Sequence, residues 1–260
     1  MSLPDPYYCR DGITLYLARC EDVLPMLPAG VFDLVFTSPP YNLGVSSGGG
    51  FSGIDGYIRG IGRGVKGKWT GGDLANGYGQ HDDAMPYSKY VDWQRGVLSA
   101  CWMLLNDRGA IFYNHKPRVQ GGELQTPLML NPGLPLRQII IWARNGGINF
   151  ATTHYVPAHE WILVLAKADF RLANKGESGL TDVWYVSHDR NNAHPAPFPV
   201  ALPTRALEST GAQIVCDPFA GSGSTLLAAK LLGRQAVGIE REERFCEMAV
   251  RRLSQEVMAL

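Results

Sequence analysis

The sequence predicts one α/β domain with a mostly parallel β-sheet and helices on both faces of that sheet. Short apolar segments rich in β-branched and aromatic residues alternate with segments of helix length, a pattern typical of β-α-β units. The chain has 260 residues, of which 45% are hydrophobic, so it can bury a full core in one domain. We therefore treat residues 1–260 as a single domain.

The periodicity of the apolar residues locates the predicted elements. Alternating β-formers or short apolar runs predict strands, whereas apolar residues three and four positions apart predict helices. The predicted strands cover residues 12–18, 31–36, 110–114, 136–142, 160–166, a segment starting at 213, and 235–240, and the predicted helices cover residues 24–27, 86–105, 200–208 and 224–232. Gly109 and Gly233 follow two of these helices as stop signals.

Charge and cysteine content limit the functional classes. The 24 basic and 24 acidic side chains give no net charge, so any contact with nucleic acid must rest on local patches. The cysteines are Cys9, Cys20, Cys101, Cys216 and Cys246, and no two form a Cys-x-x-Cys pair. This spacing indicates a reducing, cytoplasmic compartment and argues against a zinc site or a disulfide framework. We expect no metal, no signal peptide and no membrane span, because neither a leader pattern nor a run of about 18 apolar residues occurs.

The first motif is the elbow Ser38-Pro39-Pro40-Tyr41, which follows the apolar strand 31–36. Neither proline can donate to a strand ladder, so the strand must stop here. Ligands of open parallel sheets bind outside the carboxyl ends of the strands, which is where this elbow lies. It offers a hydroxyl, a prolyl carbonyl and an aromatic ring, the groups needed to hold a planar base by its amino group.

A glycine-rich segment leaves directly from this elbow. Fourteen of the 37 residues from 44 to 80 are glycine, so the segment cannot build a core of its own. Its basic residues Arg59, Arg63, Lys66 and Lys68 are mixed with aromatic residues. A flexible surface loop is one interpretation. The other, which we favour, is a loop that orders around DNA phosphates and an opened base pair.

The second motif runs from Asp217 to Thr225 and combines a strand end, the glycines Gly221 and Gly223, and a helix start. Glu240 ends the following strand, where a carboxylate can accept both hydroxyls of a ribose. This layout predicts a nucleotide-binding β-α-β unit. A dinucleotide is the obvious rival ligand, but Leu226 stands where its binding fingerprint requires a third glycine.

With both motifs in view, the chain resembles the S-adenosylmethionine-dependent DNA amino-methyltransferases, whose catalytic motif is Asp/Asn/Ser-Pro-Pro-Tyr/Phe/Trp and whose cofactor loop is similar to Asp-Pro-Phe-Ala-Gly-Ser-Gly. The catalytic motif precedes the cofactor motif here, and this order resembles the β group of that family. The resemblance covers essentially the whole chain and implies a circularly permuted, Rossmann-like class I methyltransferase fold with seven strands. The long insertion at 44–80 and the short recognition segment, about 169–193, depart from the family pattern.

The resemblance also assigns roles to residues. Ser38 and the Pro39 carbonyl would hold the amino hydrogens, Pro40 would shape the elbow, and Tyr41 would stack on the flipped base. S-adenosylmethionine would be held by the carboxyl-terminal part of the chain, 194–260, together with Asp22; its expected contacts are Asp22, His194, Pro197, Phe198, Asp217, Phe219, Gly221, Gly223 and Glu240. Asp22 has a second interpretation as a helix N-cap. We also expect Gly223→Val to abolish cofactor binding with the fold intact, because a side chain there would fill the methionine site.

The sequence leaves four questions open. A serine at position 38 favours N4 of cytosine, yet a hydroxyl can accept a hydrogen bond from either amino group, so N6 of adenine stays nearly as good. The short recognition segment predicts a homodimer on double-stranded DNA, since specific recognition buries on the order of 1,000–2,500 Å². The protein could belong to a restriction-modification system or act as an orphan methylase. A catalytically silent homologue that binds DNA or a partner is the alternative to an enzyme.

Overall fold

The computed structural model describes residues 2–42, 85–120, 122–144, 154–155, 157–173, 176, 179–187 and 198–255. The predicted DNA-contacting residues Arg59, Arg63, Lys66 and Lys68 lie outside this set, and so do the cofactor candidates His194 and Pro197. Their predicted roles stay predictions.

The described residues form eleven strands and five α-helices. The strands are β1 Tyr8–Arg10, β2 Ile13–Leu17, β3 Phe32–Thr37, β4 Leu105–His115, β5 Arg118–Gln120, β6 Glu123–Gln125, β7 Leu136–Ala143, β8 His159–Ala166, β9 Val183–Tyr185, β10 Ile214–Asp217 and β11 Gln235–Glu240. The helices are α1 Cys20–Val23, α2 Tyr87–Leu104, α3 Ala201–Thr210, α4 Ser224–Leu231 and α5 Glu243–Ser254, with short 3-10 helices at Leu24–Met26 and Pro127–Leu130.

Nine of the strands form one sheet in the order β1-β2-β11-β10-β3-β4-β8-β7-β9, and β5 pairs with β6 in a separate hairpin. The central run from β2 to β4 is parallel, whereas β8 is antiparallel to both of its neighbours. The strand that carries the elbow, β3, lies beside β10, although a large part of the chain separates them. Two motifs that are distant in sequence therefore meet at the carboxyl ends of two neighbouring central strands.

Side-chain alternation along the strands builds a core on each face. Leu34 and Phe36 of β3 belong to the cluster that α3, α4 and α5 cover, while Val35 belongs to the cluster that α1 and α2 cover. Burial on both faces explains why β3 has a nearly continuous apolar sequence instead of an alternating one.

The predicted α/β class with a mostly parallel sheet and helices on both faces is confirmed. Each of the seven predicted strands overlaps an observed strand, and these seven are the central strands of the sheet. The sheet has nine strands because the three-residue β1 and β9 pair with its two edges. Such short segments offer too few residues for periodicity to reveal them. Helix α5, the β5–β6 hairpin and both edge strands were not predicted.

Candidate functional site

A pocket open to solvent lies at the carboxyl ends of β2, β3, β10 and β11. This is the point where the strand order reverses direction between β10 and β3, the usual ligand crevice of an open α/β sheet. The pocket brings together both sequence motifs. Its lining includes the predicted residues Ser38, Pro39, Pro40, Tyr41, Phe198, Phe219, Gly221 and Glu240, and it adds Glu21 and Trp93, which were not predicted.

Glu240 closes the glycine turn on one side of the pocket. Its Oε2 accepts the Gly221 N–H at 2.9 Å and its Oε1 accepts the Glu242 N–H at 2.8 Å. Burial raises the pKa of Glu240 to about 7, against the partial compensation of these backbone donors. Each oxygen of a carboxylate has two acceptor positions, so Glu240 retains acceptor capacity toward the pocket.

Aromatic rings form a second wall. The rings of Trp93 from α2 and Phe219 from the glycine turn meet edge to face, with centroids 5.5 Å apart. The Trp93 indole N–H donates to Glu21 Oε1 at 2.7 Å, which fixes the orientation of the tryptophan. On the other side of the sheet, Phe198 packs against Phe36 at 5.4 Å between centroids. The pocket can therefore enclose a planar apolar group beside polar acceptors.

Asp22 is not among the described residues that line the pocket, and the structure contradicts its interpretation as a helix N-cap. Its predicted contact with the cofactor stays a prediction. The side chain is exposed, and the neighbouring Glu21 faces the pocket instead. Successive helical residues differ by about 100° around the axis, so a shift of one position changes the face. The N-cap of α1 is Arg19, whereas Asp22 lies inside the helix.

Asp217 is fully buried and lies behind the pocket rather than in its lining. It accepts hydrogen bonds from the hydroxyl of Thr37 at 2.7 Å, from the hydroxyl of Thr225 at 2.7 Å and from the Phe219 N–H at 3.1 Å. Burial raises its pKa to about 6. This carboxyl joins β3, β10 and α4 beneath the turn, and its predicted contact with the cofactor stays a prediction.

Gly223 also lies outside the pocket lining, and its need for glycine has another cause. Its φ is +80°, and a Cβ built there would lie 2.9 Å from the Cβ of Ala249 in α5. A side chain at this position would collide with a packed helix. From the structure we therefore expect Gly223→Val to destabilise the fold, contrary to the expectation from the sequence, while the predicted contact of Gly223 with the cofactor stays a prediction.

A chain of polar side chains lies behind the elbow. Ser38 Oγ and Tyr41 Oη are 2.8 Å apart, and Tyr41 Oη is 2.8 Å from Glu160 Oε2. The Asn114 side-chain amide nitrogen lies 2.8 Å from Glu160 Oε2, 3.0 Å from Tyr41 Oη and 3.2 Å from Ser38 Oγ. Arg144 Nη1 pairs with Glu160 Oε1 at 3.2 Å. Asn114 and Glu160 are buried, so the inner end of this network is shielded from water.

A second set of contacts supports the elbow from below. The Tyr90 hydroxyl donates to the Pro40 carbonyl at 2.8 Å and lies 2.8 Å from His115 Nε2. The His115 ring packs against Tyr41, with centroids 4.5 Å apart. Burial lowers the pKa of His115 to about 3, so this imidazole is neutral at pH 7. Its neutral state lets the ring nitrogen accept the Tyr90 hydroxyl hydrogen when that hydroxyl is not donating to Pro40.

The chain leaves the described region after Asn42 and returns to it at Met85, and these two points touch. The Asn42 side-chain amide donates to the Met85 carbonyl at 2.9 Å. Arg118 of the β5–β6 hairpin donates to the carbonyls of Tyr41 at 3.0 Å and Asn42 at 2.7 Å. The residues that flank the undescribed stretch, Asn42 and Met85, are thus held beside the elbow.

Sequence analysis missed the roles of Asn114, Glu160 and Trp93. A polar residue near the end of a buried strand was the available signal for the first two, since Asn114 and Glu160 lie in apolar strand sequences. Trp93 gives no such signal, because its helical spacing equally fits a core position. Within the described ranges, no three His, Cys, Asp or Glu side chains are grouped as metal ligands. No helix in that part of the chain has the length and hydropathy to cross a membrane.

The sheet order, the glycine turn and the proline elbow define a methyltransferase of the class I fold, with the two motifs in permuted order. The profile of the DNA methylase family that modifies N6 and N4 positions matches residues 32–251. The chain belongs to this family and is a DNA amino-methyltransferase.

Individual proteins and solved structures are also similar to this chain. The type II methyltransferase M.ScaI of Streptomyces caespitosus is 24% identical over an alignment of 299 positions, which covers 100% of this chain and 87% of that protein. Among solved structures, the cytosine-N4-specific PvuII DNA methyltransferase matches with a TM-score of 0.72 and 17% identity, over 98% of this chain and 90% of the other. M1.HpyAVI, solved as a complex with SAM, matches with a TM-score of 0.58 and 19% identity, over 93% and 100% of the respective chains.

Proposed function

We propose that this enzyme transfers a methyl group from S-adenosylmethionine to the exocyclic amino group of a base flipped out of duplex DNA. The observation that carries the proposal is that Ser38 to Tyr41 and Glu240 line one continuous pocket. A donor bound at the glycine turn and an acceptor held at the elbow would share a single space. The proposed compartment is the bacterial cytoplasm, where the DNA substrate is.

The pocket residues fit the cofactor. Glu240 would accept hydrogen bonds from the ribose hydroxyls, and the rings of Trp93 and Phe219 would enclose the adenine. When bound, S-adenosylmethionine supplies an electrophilic methyl group on a cationic sulfur. The backbone N–H of Gly221 donates to Glu240, and this hydrogen bond holds the glycine turn in its conformation before the cofactor binds.

The elbow supplies the acceptor side of the reaction. An exocyclic amino nitrogen is a poor nucleophile because its lone pair is delocalised into the ring. Hydrogen bonds from the amino group to Ser38 Oγ and to the Pro39 carbonyl favour a more pyramidal nitrogen and orient its lone pair. Tyr41 would place its ring against the flipped base. No covalent intermediate is required.

Incubation of the protein with duplex DNA and isotope-labelled cofactor, followed by digestion to nucleosides and mass spectrometry, tests this function. We expect N4-methylcytosine or N6-methyladenine. Ser38 favours cytosine, but its hydroxyl can accept a hydrogen bond from the amino group of either base. The methylated nucleoside that is detected therefore shows which base is the substrate. Detection of 5-methylcytosine, or of no methylated nucleoside on any DNA, would contradict the proposed chemistry.

We also propose that the segment 44–80 contacts DNA phosphates. With no net charge on the chain, Arg59, Arg63, Lys66 and Lys68 form the densest local group of cations in the sequence near the elbow. Substitution of all four by glutamine should weaken DNA binding and reduce the slope of log K against log salt by about 0.9 for each phosphate that the variant no longer neutralises. An unchanged slope with unchanged cofactor affinity would make the segment an ordinary surface loop.

The third proposal is a homodimer on DNA. The recognition segment near 169–193 is too short to bury the surface that specific recognition normally needs, and a second subunit would supply the rest. Light scattering of the free protein and of its complex with a target duplex measures this directly. Monomers in both states would refute the dimer.

A further inference from the structure

The network behind the elbow has a single possible direction of hydrogen bonding. A carboxylate can only accept, so the Tyr41 hydroxyl must donate its one hydrogen to Glu160 Oε2 across 2.8 Å. Tyr41 Oη therefore accepts from Ser38 across the other 2.8 Å contact. The hydroxyl hydrogens of Ser38 and Tyr41 therefore both point away from the pocket and toward Glu160.

Asn114 reinforces this direction. Its side chain must present the amide nitrogen to Glu160, since an amide oxygen would face another acceptor. The second hydrogen of this nitrogen is shared between Tyr41 Oη at 3.0 Å and Ser38 Oγ at 3.2 Å, so Ser38 accepts from it through one lone pair. The hydrogen of Ser38 is used on Tyr41, so the serine meets the pocket with its remaining lone pair. Ser38 is thus fixed as a hydrogen-bond acceptor before any base arrives.

We propose that Ser38, Tyr41 and Glu160 form a proton relay that removes the proton which the target amino group must lose. As the bond between the amino nitrogen and the methyl carbon forms, the bond between sulfur and that carbon breaks and the sulfonium becomes a neutral thioether. The nitrogen gains positive charge and passes one proton to Ser38 Oγ. Ser38 passes its own proton to Tyr41 Oη, and Tyr41 passes its proton to Glu160 Oε2. The product is a neutral methylamino base and a protonated Glu160, which returns the proton to solvent after product release.

The surroundings of Glu160 suit a terminal acceptor. It is 5% exposed, so the proton is delivered to a site that bulk water does not reach directly. Arg144 pairs with its other oxygen at 3.2 Å, and Asn114 holds Oε2. These groups keep Glu160 in one orientation throughout the transfer. A hydroxyl such as Ser38 cannot retain an extra proton at neutral pH, which is why the relay must continue beyond it.

This inference rests on the proposed amino-methyl transfer, and two near-isosteric variants test it. Tyr41→Phe keeps the ring that would stack on the base and removes the relay hydroxyl. Glu160→Gln keeps the size of the side chain and removes the acceptor. We expect each variant to lower the single-turnover rate of methyl transfer by about 10²-fold, the low end of general-base contributions. The dissociation constants for cofactor and for DNA should stay within about twofold of wild type, because the relay acts only in the transition state.

Tyr90→Phe is the matched control. It removes a hydroxyl that also contacts the elbow, at the Pro40 carbonyl, but lies outside the relay. Wild type and Tyr90→Phe should show the same solvent deuterium isotope effect on single turnover, and Tyr41→Phe should lose it. The double variant of Tyr41→Phe and Glu160→Gln should be no slower than the worse single variant, since both changes interrupt one path.

A wild-type rate in Tyr41→Phe, or additive losses in the double variant, would overturn the relay while leaving amino-group methylation in place. Failure of the wild-type protein to methylate any DNA would instead overturn the proposed function. Circular dichroism and the denaturation midpoint of each variant identify a loss of rate that comes from misfolding. If Glu160→Gln misfolds, Tyr41→Phe alone decides the question through its isotope effect.

Discussion

Gly223→Ala separates two explanations of the glycine turn. In the structure, the position combines a φ of +80° with a Cβ site 2.9 Å from the Cβ of Ala249. The left-handed backbone costs an L-residue about 1–2 kcal/mol, and overpacking against a helix costs about 1–3 kcal/mol more. We therefore expect the free energy of unfolding to fall by about 2–5 kcal/mol, a large part of the stability of a typical domain.

Gly233→Ala is the control for this experiment. Its φ is +64°, but no atom lies within 4 Å of the added Cβ, so the variant carries the backbone cost without the collision. Urea unfolding, followed by circular dichroism, should show a loss of about 1–2 kcal/mol for Gly233→Ala and a clearly larger loss for Gly223→Ala. The difference between the two variants measures the contact with Ala249.

The opposite result would restore the interpretation from the sequence. If Gly223→Ala unfolds at the same urea concentration as Gly233→Ala and yet loses its affinity for S-adenosylmethionine in calorimetry, the glycine serves ligand approach. A variant that loses stability and still binds the cofactor when folded supports the packing explanation.

Three other substitutions test the pocket and the sheet that carries it. The pKa of Asp217 is raised to about 6 from an ordinary 3.8, so the folded protein binds this proton more tightly than the unfolded chain does. The free energy of unfolding should therefore fall as pH rises from about 4 to 6, and Asp217→Asn should remove this slope in urea titrations. The affinity for S-adenosylmethionine should fall as pH decreases below about 7, where Glu240 becomes protonated, and Glu240→Gln should bind weakly with no such pH dependence in calorimetry. Asp33 accepts the backbone N–H groups of Gln213 at 2.8 Å and Ile214 at 2.9 Å, and Asp33→Ala should lower thermal stability by about 1–3 kcal/mol. A free energy of unfolding that does not change between pH 4 and 6 would contradict the argument for Asp217. Tight cofactor binding by Glu240→Gln would contradict the argument for Glu240, and an unchanged melting temperature of Asp33→Ala would contradict the argument for Asp33.

Sequence periodicity was sufficient for the central sheet because its strands are buried on both faces. β3 and β8 are apolar along most of their length, and helix α2 has a clear apolar stripe. These patterns were enough to predict two strands and a helix from the sequence. The edge strand β9 has only three residues, and its pairing with β7 depends on a partner distant in sequence. Short elements formed by non-local contacts leave little local signal.

The site shows a similar division. The motifs identified the correct turns, but spacing could not say which side chains face the pocket. Asp22 and Glu21 differ by one helical position, and Gly223 and Gly221 look equivalent in a glycine motif although they meet different neighbours. Glu160 reaches Asn114 only because β4 and β8 pair antiparallel with Asn114 opposite Ile162. Such a pairing register is invisible in a single sequence.

The hydrogen bond between Asn42 and Met85 joins the two residues that flank the segment between them. Since its two ends are already held together, the closure entropy changes only slowly with the length of what lies between them. Evolution or an engineer could therefore exchange the segment for one of another length or composition without moving β3 or α2. A chimera that carries the corresponding segment of a relative between Asn42 and Met85 would show whether DNA preference can be transplanted while the methyl-transfer chemistry stays in place.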